Sequence, residues 1–178
     1  MPSPERDPLL WGLAAGDEES FGALYDRYGA RLYRVAVSVL RSREDAEDAV
    51  QDLFAALIRS RKRLLGVDDL EAYLFVSLRR AVARRLMRRD RQPKARDPSD
   101  LEASSRGTPM AQSGEDHERL DWALGRLPAA QREVVALKLE GGLTFAQIGQ
   151  VIGASLNTAA SRYRYALERL RALLEESP

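Results

Sequence analysis

The sequence predicts an all-α protein of two small helical domains joined by a flexible linker. Apolar residues recur every three or four positions through most of the chain, which is the period of an amphipathic helix. No β-rich segment interrupts this pattern. Residues 92–115, in contrast, are rich in proline, serine, glycine and charge and have no apolar stripe, which is typical of a linker. We therefore expect one domain at residues 9–91 and a second at residues 116–176.

Composition excludes several classes of protein. The 178 residues suffice for one domain or two small ones. The absence of cysteine excludes disulfides and thiolate metal sites. No apolar run approaches the roughly 20 residues of a membrane span, and no signal-peptide pattern opens the chain. We expect no membrane insertion and a cytoplasmic protein.

The helices of the first domain follow from capping signals. A short apolar helix at residues 9–15 precedes Asp17, which can cap a longer helix with apolar residues at helical spacing. These are Phe21, Leu24, Tyr25, Tyr28, Leu32, Val35 and Val39. Ser42 forms a capping box with Asp45 at the start of a third helix. Its predicted buried residues are Ala46, Ala49, Val50, Leu53, Leu57 and Ile58.

Charge is unevenly distributed along this domain, although the formal net charge of the chain is only +1. Residues 43–52 contain five acids, and residues 79–91 contain seven arginines against one aspartate. Such asymmetry suggests two different partner surfaces, while solvated helix faces are the alternative. Acids in a first helical turn are favoured by the helix dipole. The helix dipole does not explain Asp48, Gln51 and Asp52, which lie further along the helix. We predict that these three residues form a protein-docking face.

The arginine-rich segment indicates a nucleic-acid surface. A basic loop at residues 61–69, which includes Arg61, Lys62 and Arg63, leads to Asp68 or Asp69 as the next cap. In the helix at residues 70–89 the predicted buried stripe is Leu70, Leu74, Leu78, Ala81, Val82 and Leu86. Another face carries Tyr73, Ser77, Arg80, Arg84 and Arg88. An aromatic side chain beside a row of arginines can stack on unpaired bases and contact phosphates. The alternative is a solvated basic face.

The second domain contains four predicted helices and a helix-turn-helix pattern. The first contains Leu120, Ala123, Leu124 and Leu127, and Pro128 is the expected first residue of the next helix. Thr144 and Gln147 form a capping box at the start of the third. Gly153 occupies a position that needs a left-handed backbone.

Ser155 then caps the fourth helix, whose predicted inner side carries Ala159, Tyr163, Ala166, Leu167, Leu170 and Leu174. Its other face carries Thr158, Ser161, Arg162 and Arg169, with Arg164 at the margin. Short polar groups and arginines suit base edges and phosphates in a DNA major groove. An ordinary helical hairpin is the alternative.

Together these segments resemble bacterial RNA polymerase sigma factors of the extracytoplasmic-function (ECF) type, which keep only conserved regions two and four. The resemblance in region two lies in LAAGDEESFGALYDRY (13–28), RLY (31–33) and DAEDAVQDLF (45–54). In region four it lies in LPAAQREVV (127–135) and GLTFAQIGQVIGASLNTAASRYRYALERL (142–170). The segment NTAASRYRYALERL is also similar to the version common in planctomycete-type members.

The resemblance implies a mechanism. Asp48, Gln51 and Asp52 would dock on the clamp coiled coil of the largest polymerase subunit, and region four would contact the flap region. The −10 promoter element would be captured and melted by Arg61, Lys62, Arg63, Tyr73, Arg80, Arg84 and Arg88. The −35 element would be read in the duplex by Ser155, Asn157, Thr158, Ser161 and Arg162, with Arg164 and Arg169 on phosphates. An anti-sigma factor is an expected further partner.

Some positions depart from the family pattern. At Tyr73 the family usually has tryptophan, followed by an Arg-Asn pair and then an aspartate; here those positions are Arg79-Arg80 and Arg84. The loss of hydrogen-bond acceptors changes how a −10 base would be held. Gly149 stands where a small alanine is usual, which lowers helix propensity but keeps a close helix crossing.

Other classes remain as alternatives. A stand-alone helix-turn-helix repressor would explain the second domain, but it normally needs a dimer interface, and no sustained heptad is present. It also leaves the acidic helix and the arginines unexplained. An enzyme is disfavoured because the only histidine, His117, borders the linker and no phosphate loop exists. We predict no catalytic residue, no cofactor and no metal site. An anti-sigma protein and a structural RNA binder complete the alternatives.

Overall fold

The computed structural model describes residues 8–91 and 114–176, and within them it confirms the all-α prediction. The α-helices are α1 Pro8–Ala15, α2 Glu18–Leu40, α3 Arg43–Arg59, α4 Leu70–Arg91, α5 Gly114–Arg126, α6 Ala129–Leu139, α7 Phe145–Ile152 and α8 Leu156–Glu176. A 3₁₀-helix at Arg61–Gly66 joins α3 to α4. None of these helices is long and apolar enough to cross a membrane. The predicted linker falls almost entirely on residues 92–113, outside the described part.

The predicted caps explain where the helices begin. Asp17 accepts a hydrogen bond from the Ser20 amide at 2.9 Å, and the Ser20 amide and hydroxyl together lower the pKa of that carboxyl. The Ala72 amide donates to Asp69 at 2.9 Å, which identifies the α4 cap as Asp69. At α7 both halves of the capping box are formed. Each cap satisfies amide groups that a helix leaves unpaired in its first turn.

The structure corrects several details of the sequence interpretation. The segment after α3, predicted as a loop, forms the 3₁₀-helix and buries Leu64 completely. Pro128 is the N-cap of α6 rather than its first helical residue. Several residues assigned to apolar inner stripes are exposed: Tyr25, Ile58, Leu86 and Leu167. Periodicity locates an apolar stripe, but it does not show how far the neighbouring helix extends to cover it.

Packing brings the two predicted domains into contact. In residues 8–91, α3 packs against α2 and α4, and α1 packs against the 3₁₀-helix. In residues 114–176, α8 packs against α5, α6 and α7. In addition α6 lies along α2 and α7 lies along α4. We call this contact between residues 8–91 and 114–176 the seam.

Candidate nucleic-acid and protein interfaces

Helix α8 presents the predicted duplex-reading residues on one side. Ala159 and Ala166 are fully buried on its inner side. At 100° per residue, Asn157 and Ser161 fall on the opposite side, whereas Thr158, Arg162 and Arg169 fall on a flank between the two sides. Ser155 and Asn157 are exposed, and Thr158, Ser161 and Arg162 are half-buried. Ser155 accepts a hydrogen bond from the Thr158 amide at 3.1 Å, as a cap does, and the two hydroxyls lie 2.9 Å apart. Arg164 and Arg169 are exposed further along the helix.

The turn before α8 sets the angle between α7 and α8. Gly153 has φ 69°, a left-handed backbone that glycine adopts without a steric cost. A Cβ at Gly149 would lie 2.8 Å from the carbonyl oxygen of Ala154, so only glycine allows this close approach. The rings of Phe145 and Tyr163 pack with their centroids 5.5 Å apart. These contacts hold α8 at a defined angle to α7, which a helix placed in a major groove requires.

The arginines of α4 divide into two sets. Arg79 pairs with Glu133 at 2.7 Å, Arg85 pairs with Asp48 at 2.6 Å and with Asp52 at 3.2 Å, and Arg89 pairs with Asp45. Arg80, Arg84 and Arg88 are instead exposed, spaced four residues apart along one face. The three arginines of α4 that the sequence analysis assigned to nucleic acid are therefore exposed at the surface.

Tyr73 and the basic residues of the 3₁₀-helix differ in how far their side chains are exposed. Tyr73 is half-buried and packs against the apolar core. Lys62 and Arg63 are exposed, whereas Arg61 is half-buried. The Arg61 guanidinium donates to the Ile58 carbonyl oxygen at 3.4 Å and lies against Gly16. Arg61 therefore contributes to local packing, and the neighbouring two cations face solvent.

The structure separates the three residues predicted to dock a protein. Asp48 and Asp52 both pair with Arg85 on α4, so one guanidinium offsets part of the charge of the two carboxylates. Gln51 is exposed and lines a groove between α2 and α3, of about 750 Å³. Its walls also contain Tyr25, Asp26, Gly29, Ala30, Tyr33, Glu47, Val50 and Phe54.

Sequence reasoning missed the aromatic part of this groove. The rings of Tyr25 and Phe54 pack with their centroids 5.3 Å apart, and Tyr25 is 57% exposed. Aromatic side chains beside polar ones are typical of the centre of a protein interface. Tyr25 was assigned to the core because it continues the apolar period of α2. Glu47, on the same side of α3 as Gln51, adds a carboxylate to the groove.

Comparisons of this chain with protein families and with individual proteins all indicate the same family. The family description "Sigma-70 region 2" matches residues 24–92, and "Sigma-70, region 4" matches residues 123–172. The ECF RNA polymerase sigma factor SigK of Mycobacterium tuberculosis is 30% identical to this chain, with 98% of this chain and 96% of SigK covered. SigK of Mycolicibacterium vanbaalenii is 32% identical, with 96% and 89% covered.

Two solved structures are similar in fold. CnrH, in complex with the cytosolic domain of CnrY, has a TM-score of 0.70 and 27% identity, with 96% of this chain and 97% of CnrH covered. The sigma factor RpoE from Bartonella quintana, in complex with the anti-sigma factor NepR, has a TM-score of 0.65 and 23% identity, with 90% and 99% covered. At that identity the second likeness concerns the fold alone.

Proposed function

The chain belongs to the ECF RNA polymerase sigma factors, and from this premise we propose which of its surfaces perform each step of initiation. As an alternative sigma factor it binds core RNA polymerase and directs it to promoters, and it is an initiation factor rather than an enzyme. This conclusion depends on the two sigma-70 regions, which match this chain in their usual order. A related ECF sigma factor also aligns with nearly the whole chain. The family assignment favours this function over the dimeric repressor.

Region four, taken as residues 116–176, reads the −35 element with α8. Asn157, Ser161 and Arg162 carry the donors and acceptors that distinguish base pairs in the major groove. Arg164 and Arg169 bind phosphates, which fix the register of the helix without specifying sequence. The assignment is supported by the exposure of Asn157, Arg164 and Arg169, by the partial exposure of Ser161 and Arg162, and by the burial of the inner side of α8. Residues 114–176 also include the surface expected to contact the flap region of polymerase.

Region two, taken as residues 9–91, captures the −10 element. Arg80, Arg84 and Arg88 form an exposed row for the phosphates of an unpaired strand, and Lys62 and Arg63 add two exposed cations. Tyr73 supplies a ring for stacking, and its half-buried position against the core would hold the ring still. Arg61 is the weakest candidate of this set because it packs against its own domain.

The polymerase clamp coiled coil docks on α3. We place Gln51 at the centre of this contact, since it is exposed in a groove that contains three aromatic side chains, with Asp48 and Asp52 at the edge. The two similar solved structures, CnrH and RpoE, each contain a bound partner, and for RpoE that partner is an anti-sigma factor. A protein of that class is the proposed inhibitor of this chain as well. We place this chain in the bacterial cytoplasm, where RNA polymerase transcribes.

The docking proposal is tested by capture of core RNA polymerase and run-off transcription with charge-reversal variants. Glu47→Arg/Gln51→Arg changes the groove, Asp48→Arg/Asp52→Arg changes the acids beside Arg85, and Glu44→Arg is a matched control in the exposed first turn of α3. We expect the groove variant to lose polymerase binding and the control to retain it.

Urea unfolding of each variant separates lost docking from lost folding, because Asp48→Arg/Asp52→Arg also removes the partners of Arg85. Equal binding by all three variants would refute the docking face while leaving the sigma function intact. Failure of the wild-type chain to bind core polymerase would refute the proposed function itself.

A further inference from the structure

A cavity lies in the seam, between the end of α2 and the helices of residues 114–176. Its volume is about 220 Å³, and its wall is formed by α2, α5, α6 and α8. None of the residues assigned above to promoter DNA or to the clamp coiled coil lines it. The proposed function therefore leaves this cavity without a role.

The wall of the cavity is largely apolar. Each of its four helices contributes an apolar side chain: Val37 from α2, Leu124 from α5, Leu139 from α6 and Leu170 from α8. Leu139 is nevertheless 62% exposed, and Leu120, also in the wall, is 41% exposed. A molecule that covered these two leucines would remove apolar surface from water, which favours binding.

One cation in this wall has no acidic partner. Within the described residues Arg132 of α6 belongs to no ion pair. Its Nη1 donates only to the carbonyl oxygens of Gly125 at 3.3 Å and Leu127 at 3.5 Å, and its buried Nε makes no hydrogen bond there. Burial, and then the positive charge of Arg41, lower the pKa of Arg132. These surroundings disfavour the cation, and a neighbouring anion would stabilise it.

The two carboxylates of the wall are each matched by a different arginine. Asp121 pairs with Arg41 at 3.3 Å, and Glu140 pairs with Arg34 at 3.0 Å. These two ion pairs cancel, so Arg132 is left as an excess of one positive charge at the cavity. A molecule that carries a single negative group would complement this charge.

The backbone of Arg41 places a second guanidinium in the same wall. Its φ is 53°, and among the described residues no other side chain except glycine has a left-handed backbone. Residues in this region carry a steric cost and are concentrated at functional sites. The Arg41 guanidinium lies against Gly125, where a Cβ would be only 2.8 Å from Nη1. The absence of a side chain at Gly125 therefore makes room for this guanidinium beside the cavity.

We propose that this cavity binds a small monocarboxylic acid, whose carboxylate pairs with Arg132 and whose hydrocarbon part packs against the leucines. Guanidinium groups hold carboxylates through charge-assisted hydrogen bonds. An apolar cavity of about 150 Å³ holds benzene, so one of about 220 Å³ has room for about nine non-hydrogen atoms. Benzoate and heptanoate are acids of this size. The proposal does not depend on the sigma function, because it concerns binding by the free chain alone.

Titration followed by NMR of methyl-labelled protein tests the proposal. The probes are benzoate and heptanoate, each compared with its neutral amide of the same size. We expect at least one acid to shift the methyl signals of Val37, Leu124 and Leu139 with a dissociation constant below about 1 mM. The matching amide should bind at least about tenfold more weakly, because it lacks the charge that complements Arg132. No shift at these methyl groups with either acid at about 10 mM, or equal affinity for acid and amide, would overturn the proposal.

Two variants identify the groups that hold the acid. Arg132→Met removes the cation but keeps a long side chain, so we expect similar affinities for acid and amide; binding of the amide then shows that the cavity is intact. Leu120→Asp adds a carboxylate to the wall and should weaken binding of the acid at least about tenfold. Leu167→Asp is the matched control, because Leu167 is 42% exposed and lies outside the cavity. A preference for the acid that persists in Arg132→Met, or equal effects of the two aspartates, would contradict the proposed site.

Discussion

The two helices assigned to the promoter differ in how their charged side chains are used. In α4, Arg79, Arg85 and Arg89 pair with acids on α6 and α3, and the remaining described arginines are exposed. In α8, within the part of the chain that the structure describes, the ion pair is a weak one inside the helix, between Arg164 and Glu168 at 4.0 Å. Both helices bury an apolar side, but only α4 is also tied to neighbouring helices by these ion pairs.

We propose that the difference reflects the two forms of DNA to which the two helices are assigned. Duplex DNA is a rigid partner, so a reading helix needs only a fixed angle and an unobstructed polar face, which α8 has. An unpaired strand is flexible, and its capture requires cations at fixed positions beside a stacking surface. The paired arginines of α4 help to hold the exposed ones in place by anchoring the helix to α3 and α6. The following predictions test this division.

The largest effect is expected from removal of the exposed row. Arg80→Ala/Arg84→Ala/Arg88→Ala should weaken promoter binding by polymerase about 100-fold at moderate salt. The slope of log K against log salt should become shallower by about 2, since each lost contact with a single strand contributes about 0.7. The free energy of unfolding should change by less than about 0.5 kcal/mol because these side chains are exposed. An unchanged salt slope would show that the row does not touch phosphates.

Variants in α8 should separate base reading from phosphate binding. Asn157→Ala should reduce discrimination at one −35 base pair by about tenfold, as loss of a good base contact does. Arg169→Ala should instead weaken binding evenly across sequences and reduce the salt slope by about 1. Competition binding of the polymerase complex to single-base promoter variants measures both. An even loss for Asn157→Ala would remove it from the base-reading set.

A smaller effect, on folding alone, is expected at the paired arginines. Arg85→Ala should lower the free energy of unfolding by about 1.5 kcal/mol, because Asp48 and Asp52 then repel each other without a cation between them. The midpoint of urea unfolding measures this. Arg88→Ala, an exposed arginine of the same helix, is the matched control and should leave the midpoint unchanged. Equal midpoints for both variants would mean that the pairing is structurally unimportant.

The smallest expected effect is at the capping box of α7. Thr144→Ala should lower the free energy of unfolding by about 1 kcal/mol, since the Gln147 amide loses its acceptor. Gln150→Ala, at an exposed position of the same helix, controls for helix propensity. Thermal unfolding followed by circular dichroism provides the comparison. A Thr144→Ala melting temperature no lower than that of the control would contradict the role of the cap.

Local features of the fold could be predicted from the sequence. The caps at Asp17, Ser42 and Thr144 and the left-handed Gly153 each depend on residues within a few positions of one another. For the same reason the helix-turn-helix was predicted together with the buried Ala159, Ala166 and Leu170 of α8, whereas Leu167 is exposed. Fold class and family followed from these local patterns and from their order.

Contacts between distant residues could not be predicted in this way. The pairing of Arg85 with Asp48 and Asp52 joins residues more than thirty positions apart, and the hydrogen bonds from Gln147 to Asp69 and Glu71 join residues more than seventy positions apart. Helical periodicity shows which side of a helix is apolar, but the identity of the helix that covers it depends on the whole fold. Seven arginines thus resembled one basic surface, although three of them are structural.

The most direct test of the account is transcription from a promoter library with both upstream segments randomised, using core polymerase and this chain. Sequencing of the templates that yield transcripts should show two separate selected elements, near −35 and −10, at a fixed spacing. In the triple arginine variant, the −10 selection should weaken while the −35 selection remains. A single palindromic element bound without polymerase, or transcripts no more abundant than with core polymerase alone, would contradict the division of promoter reading between α4 and α8.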